Sequence, residues 1–173
     1  EVIDNLNNAP GREGPPLVHP PEDIGLAFDE WLTRGSFPWE NNGYPWWSHL
    51  HHAKTWWEYR HRPNILMVHY DDLKKDTDAE MRRISAFLDI PVNEELWPTL
   101  LEGVSFDSMK SNASKMAPGA TEGVWKDTSN FFHKGTNKRW QGVLMDKQIA
   151  AYNSLAQAEL GSELAAWLEF GGR

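Results

Sequence analysis

The feature that most constrains the fold is a short apolar run at residues 65–68, bounded by a proline and polar residues. Four apolar residues without alternation indicate a strand buried on both faces, which is the pattern of a parallel sheet. Helical spacing of apolar residues precedes and follows this run. The sequence therefore predicts a helix-rich α/β fold with a parallel sheet. Because ligands bind beyond the carboxyl ends of such strands, Tyr70 is a candidate site residue.

The remaining chain divides into helices and loops. Residues 1–21 and 111–129 are rich in Gly, Pro or small polar residues and are expected to be loops, the second one mobile. Capping and breaking residues predict helices that begin after Asp23, at Trp46, after Asp76 and near Ser105. A last long helix is expected over residues 146–160, ended by glycine and followed by a short terminal helix.

Residues 130–140 combine aromatic and basic side chains around Gly135. Glycine lets the backbone approach an anion closely, and a row of amide groups can then bind phosphate. Lys134 adds a positive charge, and Phe131 and Phe132 offer flat apolar surface for a ring. The spacing alone favours a solvated basic turn, but this basic segment lies in a protein of net charge −8.

The same segment resembles the cofactor loop of the PAPS-dependent sulfotransferases, Phe-x-Arg-Lys-Gly-x-x-Gly-Asp-Trp. Four residues fit this pattern, namely Phe131, Lys134, Gly135 and Trp140. The chain departs from it at His133, Lys138 and Arg139, which keep the loop basic. Residues 65–76 are similar to the family's strand followed by Tyr-Glu-Asp-Leu-Lys-x-Asp, and residues 104–112 to its Thr-Ser-Phe-x-x-Met-Lys-x-Asn.

The resemblance covers roughly residues 22 to 170 and implies the C-terminal portion of a single P-loop-like sulfotransferase domain. Residues 1–21 would be its variable loop region, and residues 22–173 would supply helices, one core strand and the cofactor loop. The family's phosphosulfate loop and catalytic His have no matching positions here, so the resemblance implies an upstream N-terminal half as partner. The 173-residue chain alone is expected to be inactive and to hold no catalytic residue.

The implied reaction transfers a sulfuryl group from PAPS to a hydroxyl or amine of a small-molecule acceptor. The resemblance implies an adenine pocket and a clamp for the 3′-phosphate of PAPS or adenosine 3′,5′-bisphosphate. The cofactor-binding residues expected from it are Tyr70, Val104, Phe106, Met109, Phe131, Phe132, His133, Lys134 and Gly135.

Composition narrows the classes of function. The net charge of −8 argues against nucleic-acid and membrane-surface binding. No cysteine is present, which suits a cytoplasmic location, and no apolar run approaches the length of a membrane span. His49, His51 and His52 lack a carboxylate one turn away, so no metal site is expected. Two alternatives stay open. One is a non-catalytic adenine-nucleotide-binding module, and the other is an aromatic-rich small-ligand or carbohydrate binder, which the ten Trp residues suggest.

Overall fold

A computed structural model describes residues 2–119, 125 and 127–172, and α-helices dominate them. The helices are α1 Val2–Asn7, α2 Ile24–Thr33, α3 His49–Trp57, α4 Tyr70–Lys75, α5 Thr77–Phe87, α6 Trp97–Gly103, α7 Phe106–Ser111, α8 Ala113–Met116 and α9 Asp146–Phe170, with a 3-10 helix at Thr128–Phe131. The chain forms two compact units, a first unit of Glu1–His19 and Val92–Asn137 and a second unit of Pro20–Pro91 and Lys138–Arg173.

The predicted helix-rich character is confirmed, but the predicted strand is not formed. Residues 65–69 have no regular secondary structure, and no strand occurs in the described part of the chain. A parallel strand needs neighbouring strands to bond its amide and carbonyl groups, and the described residues supply none. The run is also only half-buried, with Val68 exposed, where burial on both faces was expected.

In the second unit, α9 packs against α2 and α3. Leu32, Leu50 and Leu164, one from each of these helices, are buried. The buried amide of Gln148 on α9 donates to the carbonyl oxygen of Gly25 and so ties the start of α9 to α2. Because a buried polar group costs free energy unless it is bonded, this bond fixes the register of the two helices.

Several helix boundaries follow the sequence signals and one does not. Asp23 and Asp76 accept hydrogen bonds from the first turns of α2 and α5, as predicted. Helix α3, however, begins at His49 and not at Trp46, because the Ser48 side chain caps it by accepting from the amide of His51. Helix α9 contains the predicted break, with φ of 72° at Gly161, and regular helix resumes after it.

The predicted loops contain short helices. Helix α1 lies within residues 1–21, and α8 lies within residues 111–129. Residues 120–124 and 126 of the second expected loop lie outside the described residues. On α5, Glu80 is buried, whereas Phe87 and the following Leu88 are exposed. The carboxylate of Glu80 is compensated by Arg83, whose Nη2 lies 2.6 Å from Oε2.

Candidate functional site

The basic loop that follows the 3-10 helix is anchored in the core of the first unit. Phe132 is buried with Ala113 and Ala117 of α8, and the side chains of Phe106 and Met109 pack against this cluster. The Phe106 and Phe132 rings meet edge to face with centroids 6.4 Å apart. This geometry is the favourable one for aromatic pairs. The loop therefore leaves the core at a fixed point, directly after Phe132.

Phe131 occupies the opposite environment to its neighbour. Its ring is 44% exposed and stands at 89° to the Phe132 ring, with centroids 5.0 Å apart. Trp125 packs against the edge of the same ring at 5.7 Å, and the Trp125 indole nitrogen donates to the carbonyl oxygen of Pro118. One phenylalanine thus holds the loop to the core, and the other presents an aromatic face to solvent.

Gly135 sits against Phe106 too closely for any side chain. Its φ is +59°, and a Cβ built on it would lie 2.6 Å from Cδ2 of the Phe106 ring. Both the left-handed conformation and the close approach therefore require glycine. The backbone of the loop consequently lies directly on the aromatic side chain that α7 presents. The sequence led us to expect close approach of this backbone to an anion, whereas the group that Gly135 approaches in the structure is the Phe106 ring.

Basic side chains lie around the contact between Gly135 and Phe106. His133 and Lys134 are exposed. Lys110, on α7, donates from Nζ to the carbonyl oxygen of His133 at 3.4 Å, and its Nζ lies 5.9 Å from the centroid of the Phe106 ring. The pKa of Asp127 is lowered, first by its hydrogen bonds to Ser129 and to a lesser degree by the charge of Lys110. The first unit therefore places three basic side chains along one short segment and its supporting helix.

Lys110 was missed as a site residue in the sequence-based prediction. It lies four residues after Phe106 on α7, a spacing that places two side chains on one helical face. That spacing was the available signal. Its contact with His133 spans 23 positions of sequence, which no local pattern reveals.

The other predicted cofactor residues occupy different places. Val104 ends α6 and is exposed, and Ser105 caps α7 by accepting from the amide of Ser108. Tyr70 lies in the second unit, as the first residue of α4, and is 53% exposed. Lys74 Nζ lies 5.8 Å from the centroid of its ring. Seven of the nine predicted residues thus lie on the 3-10 helix, the loop after it and α7, namely Phe106, Met109, Phe131, Phe132, His133, Lys134 and Gly135.

The three histidines of α3 have separate surroundings. The His49 ring stacks on Trp31 of α2 at 4.9 Å, and it lies parallel to the Tyr152 ring of α9 at 6.3 Å. The side chain of His49 is exposed, but desolvation of its ring between Trp31 and Tyr152 lowers its pKa. His52 meets Trp56 edge to face, and His51 is exposed. Among the described residues, no group of His, Asp or Glu side chains could hold a metal ion.

The described helices include none that is long and apolar enough to cross a membrane.

Comparison with known proteins gives a consistent result. Residues 28–163 match the family model of the sulfotransferase domain. The glycolipid sulfotransferase of Mycobacterium bovis is 31% identical over 124 residues, which are 72% of this chain and 38% of that protein. The luciferin sulfotransferase of Photinus pyralis is 31% identical over 111 residues, which are 61% of this chain and 30% of that protein.

A solved structure shares the fold. The crystal structure of a mouse sulfotransferase complexed with PAP superposes with a TM-score of 0.70 at 23% identity. The match covers 96% of this chain and 55% of the mouse chain. The chain therefore spans little more than half of that structure, and it spans 38% or less of the two curated relatives described above.

Proposed function

Because the chain belongs to the sulfotransferase domain family, as its three sequence segments predicted, we propose that it is part of an enzyme that sulfates small molecules. The enzyme would transfer a sulfuryl group from PAPS to a hydroxyl or amine of an acceptor. One observation carries this proposal. The loop at residues 133–135 places the exposed side chains of His133 and Lys134 next to a glycine that lies directly on an aromatic ring. Phosphate and a flat base are the chemical groups that such a surface suits.

The described residues fit a nucleotide that carries a 3′-phosphate. A side chain at Gly135 would clash with the Phe106 ring, so glycine is what lets the backbone of the basic loop lie on this ring. In the proposal, His133 and Lys134 bind the 3′-phosphate, while Phe106, Met109 and Phe131 give apolar surface for the base. Tyr70, Val104 and Phe132 complete the proposed cofactor residues. Bound PAPS would supply the activated sulfuryl group, and the residues of this chain would orient it.

We propose further that residues 1–173 form the C-terminal portion of a single sulfotransferase domain. Support comes from the lengths of the relatives, since the chain spans 38% of the mycobacterial protein and 55% of the mouse structure. The phosphosulfate loop, the catalytic base and the other strands of a parallel sheet would then lie in an upstream half. A cytoplasmic location remains part of the same proposal.

The acceptor is proposed only as a class. The two relatives carry the names of a glycolipid and of luciferin, which differ widely in structure. We therefore propose as acceptor a small molecule with a free hydroxyl or amine. Sulfuryl transfer resembles phosphoryl transfer, in which the protein contributes mainly by positioning the reactants and by stabilising charge in the transition state.

The decisive experiment is a titration with two nucleotides. Calorimetry on the polypeptide that includes the upstream half should show tighter binding of adenosine 3′,5′-bisphosphate than of AMP. Each charge-assisted hydrogen bond to the extra phosphate contributes about 1.5–3 kcal/mol, which is roughly 10-fold or more in affinity. Equal affinities for the two nucleotides would remove the basis for the assignment.

Variants separate the phosphate clamp from the base pocket. Lys134→Ala should weaken adenosine 3′,5′-bisphosphate and leave AMP almost unchanged, and this effect should shrink at high salt. Phe106→Ala should weaken both nucleotides alike because it removes the apolar surface. Lys147→Ala, at an exposed lysine of α9, removes the same charge elsewhere and serves as the control. A Lys134 variant that loses both ligands equally while melting like the parent would contradict the clamp.

A further inference from the structure

The end of α9 is hydrogen-bonded to the start of α4 within the second unit. The amide of Gly172 donates to Oδ2 of Asp72 at 2.8 Å. His69 Nε2 lies 3.1 Å from the carbonyl oxygen of Leu168, near the end of α9. These two bonds, which we call the α9–α4 contact, join residues that are 100 and 99 positions apart in the sequence.

The His69 ring bonds both helices through its two nitrogens. Its Nδ1 accepts from the amide of Asp71 and so caps α4. Because the amide can only donate and the Leu168 carbonyl can only accept, Nδ1 is unprotonated and Nε2 carries the proton. The Trp167 ring meets the His69 ring edge to face, with centroids 5.2 Å apart. The orientation of His69 is therefore fixed by two hydrogen bonds and one ring contact.

The backbone that follows α9 fits closely against α4. Gly171 has a φ of +69°, and a Cβ built on it would lie 2.8 Å from His69 Nδ1 and 2.8 Å from Asp72 Oδ2. The indole nitrogen of Trp167 donates to the carbonyl oxygen of Gly172 at 3.0 Å, so this backbone is also held by its own helix. Both the left-handed conformation and the close approach require glycine at position 171. A larger residue there would disrupt the α9–α4 contact.

Helix α4 depends on contacts of this kind. The structure describes all six of its residues, and none of them is buried. A helix this short is not stable by itself, so contacts with other elements must hold it. Tyr70, its first residue, directly follows His69 and is exposed. The two side chains of the α9–α4 contact, His69 and Asp72, therefore fix the backbone on both sides of an exposed aromatic side chain.

We propose that His69 and Asp72 are positioning residues that hold Tyr70 where it contacts the nucleotide. The inference rests on the proposed function, in which Tyr70 is one of the cofactor-binding residues. Neither His69 nor Asp72 needs to touch the nucleotide, because each acts by binding the backbone at the end of α9. A site that is correctly formed for only a tenth of the time binds its ligand about 10-fold more weakly, so loss of the contact lowers the affinity.

A matched pair of glycine variants tests this in the polypeptide that includes the upstream half. Gly171→Ala brings a Cβ against His69 and Asp72, whereas Gly161→Ala places one where nothing lies within 4 Å. The two glycines have nearly equal φ, +69° and +72°, so the strain that depends on φ is matched. Calorimetry should show that Gly171→Ala binds adenosine 3′,5′-bisphosphate about 10-fold more weakly than Gly161→Ala does. Equal affinities of the two variants would overturn the inference.

A second comparison shows whether the effect passes through Tyr70. In a Tyr70→Ala background, Gly171→Ala should cause no further loss of affinity, because the ring that the contact positions is already absent. A merely structural role would instead lower the affinity by the same factor in both backgrounds, and this result also refutes the inference.

Variants of Asp72 give the same test without a change of backbone. Asp72→Ala removes the acceptor of the Gly172 amide and should weaken the nucleotide as Gly171→Ala does. Asp72→Asn keeps an oxygen that can accept from this amide, and it should retain most of the affinity. If Gly171→Ala does not fold, these two variants carry the comparison, and equal affinities for them contradict the role of Asp72.

The nitrogen NMR shifts of His69 report on the contact without any nucleotide. In the parent and in Gly161→Ala they should show a proton on Nε2 and none on Nδ1, whereas Gly171→Ala should show the mixed tautomers of an unbonded ring. A parent that binds the nucleotide, with variants that differ in NMR but not in affinity, keeps the proposed function and overturns the inference. A parent that binds adenosine 3′,5′-bisphosphate no more tightly than AMP overturns the proposed function, and the role of His69 and Asp72 in binding falls with it.

Discussion

Replacement of Arg83 should destabilise the second unit more than any change at a surface ion pair. Its guanidinium contacts Glu80, a carboxylate with 0% exposure, through Nε at 3.0 Å and Nη2 at 2.6 Å. The same Nη2 donates to the carbonyl oxygen of Met67. One side chain therefore neutralises a buried charge and bonds the segment that follows residue 65.

The size of the effect follows from these contacts. Removing one partner of a buried ion pair costs about 3–5 kcal/mol, because the remaining charge stays buried. The side chain of Arg83 is 29% exposed, so the lower end, about 3 kcal/mol, applies. Loss of the bond to the half-buried Met67 carbonyl adds about 1 kcal/mol. A total of about 4 kcal/mol is a large part of the 5–15 kcal/mol that typically stabilises a folded protein.

Urea unfolding followed by circular dichroism measures this change. Arg83→Leu should lower the unfolding midpoint strongly, while Arg82→Leu serves as the control on the same helix. Arg82 pairs with Asp78 at a partly exposed site, where such pairs contribute less than about 1 kcal/mol. Glu80→Gln combined with Arg83→Leu should be more stable than Arg83→Leu alone, because no charge is then left buried. Equal effects of Arg82→Leu and Arg83→Leu would refute the reasoning.

Two further predictions concern the loop and the ring stack. Gly135→Ala should lower the melting temperature and the affinity for adenosine 3′,5′-bisphosphate. The reason is that a Cβ there would lie 2.6 Å from the Phe106 ring, and that φ is +59°. An unchanged melting temperature and an unchanged affinity would contradict this contact. The pKa of His49 is lowered from 6.5 by burial, so the folded protein favours the neutral ring and the unfolded chain binds the proton more readily. The stability that His49 contributes is therefore complete above pH 6.5 and is lost as the pH falls toward its lower folded pKa. In the His49→Phe variant, the loss of stability below pH 6.5 should disappear when urea unfolding is measured over pH. If the parent protein instead becomes more stable as the pH falls below 6.5, the prediction is wrong.

Helix starts could be predicted from sequence where the capping signal is local and unopposed. Asp23, Asp76 and Ser105 each accept a hydrogen bond from an amide three residues ahead, so the signal and the bond lie within one turn. At α3 the sequence predicted a start at Trp46, but the helix begins at His49. Ser48 caps it there, and the Ser48 hydroxyl also donates to the buried Asn42 side chain at 2.6 Å. The choice depends on that contact, which spans six positions and leaves no mark in the helical periodicity.

The strand could not be predicted reliably for a different reason. The apolar composition of residues 65–68 depends only on those residues, but a strand exists only when another segment bonds its amides and carbonyls. Helices satisfy their own backbone, and so α2, α5, α7 and α9 formed close to the predicted positions even though the match covers only part of the mouse chain. The apolar pattern indicates that residues 65–68 are suited to a strand, but the strand forms only where another segment bonds its backbone.

The candidate site depends on the core of the first unit as much as on its own residues. Phe132 is buried with Ala113 and Ala117, and the next two residues of the loop, His133 and Lys134, are exposed. The loop turns back onto Phe106, whose ring packs both on this core and against Gly135. Consequently the position of the charged side chains is set by a packed aromatic pair, and charge alone does not determine it. The motif could therefore be recognised from its residue types, but its geometry could not be predicted from them. If Phe132 were not in the core, the same basic residues would form the solvated turn that the spacing alone suggested.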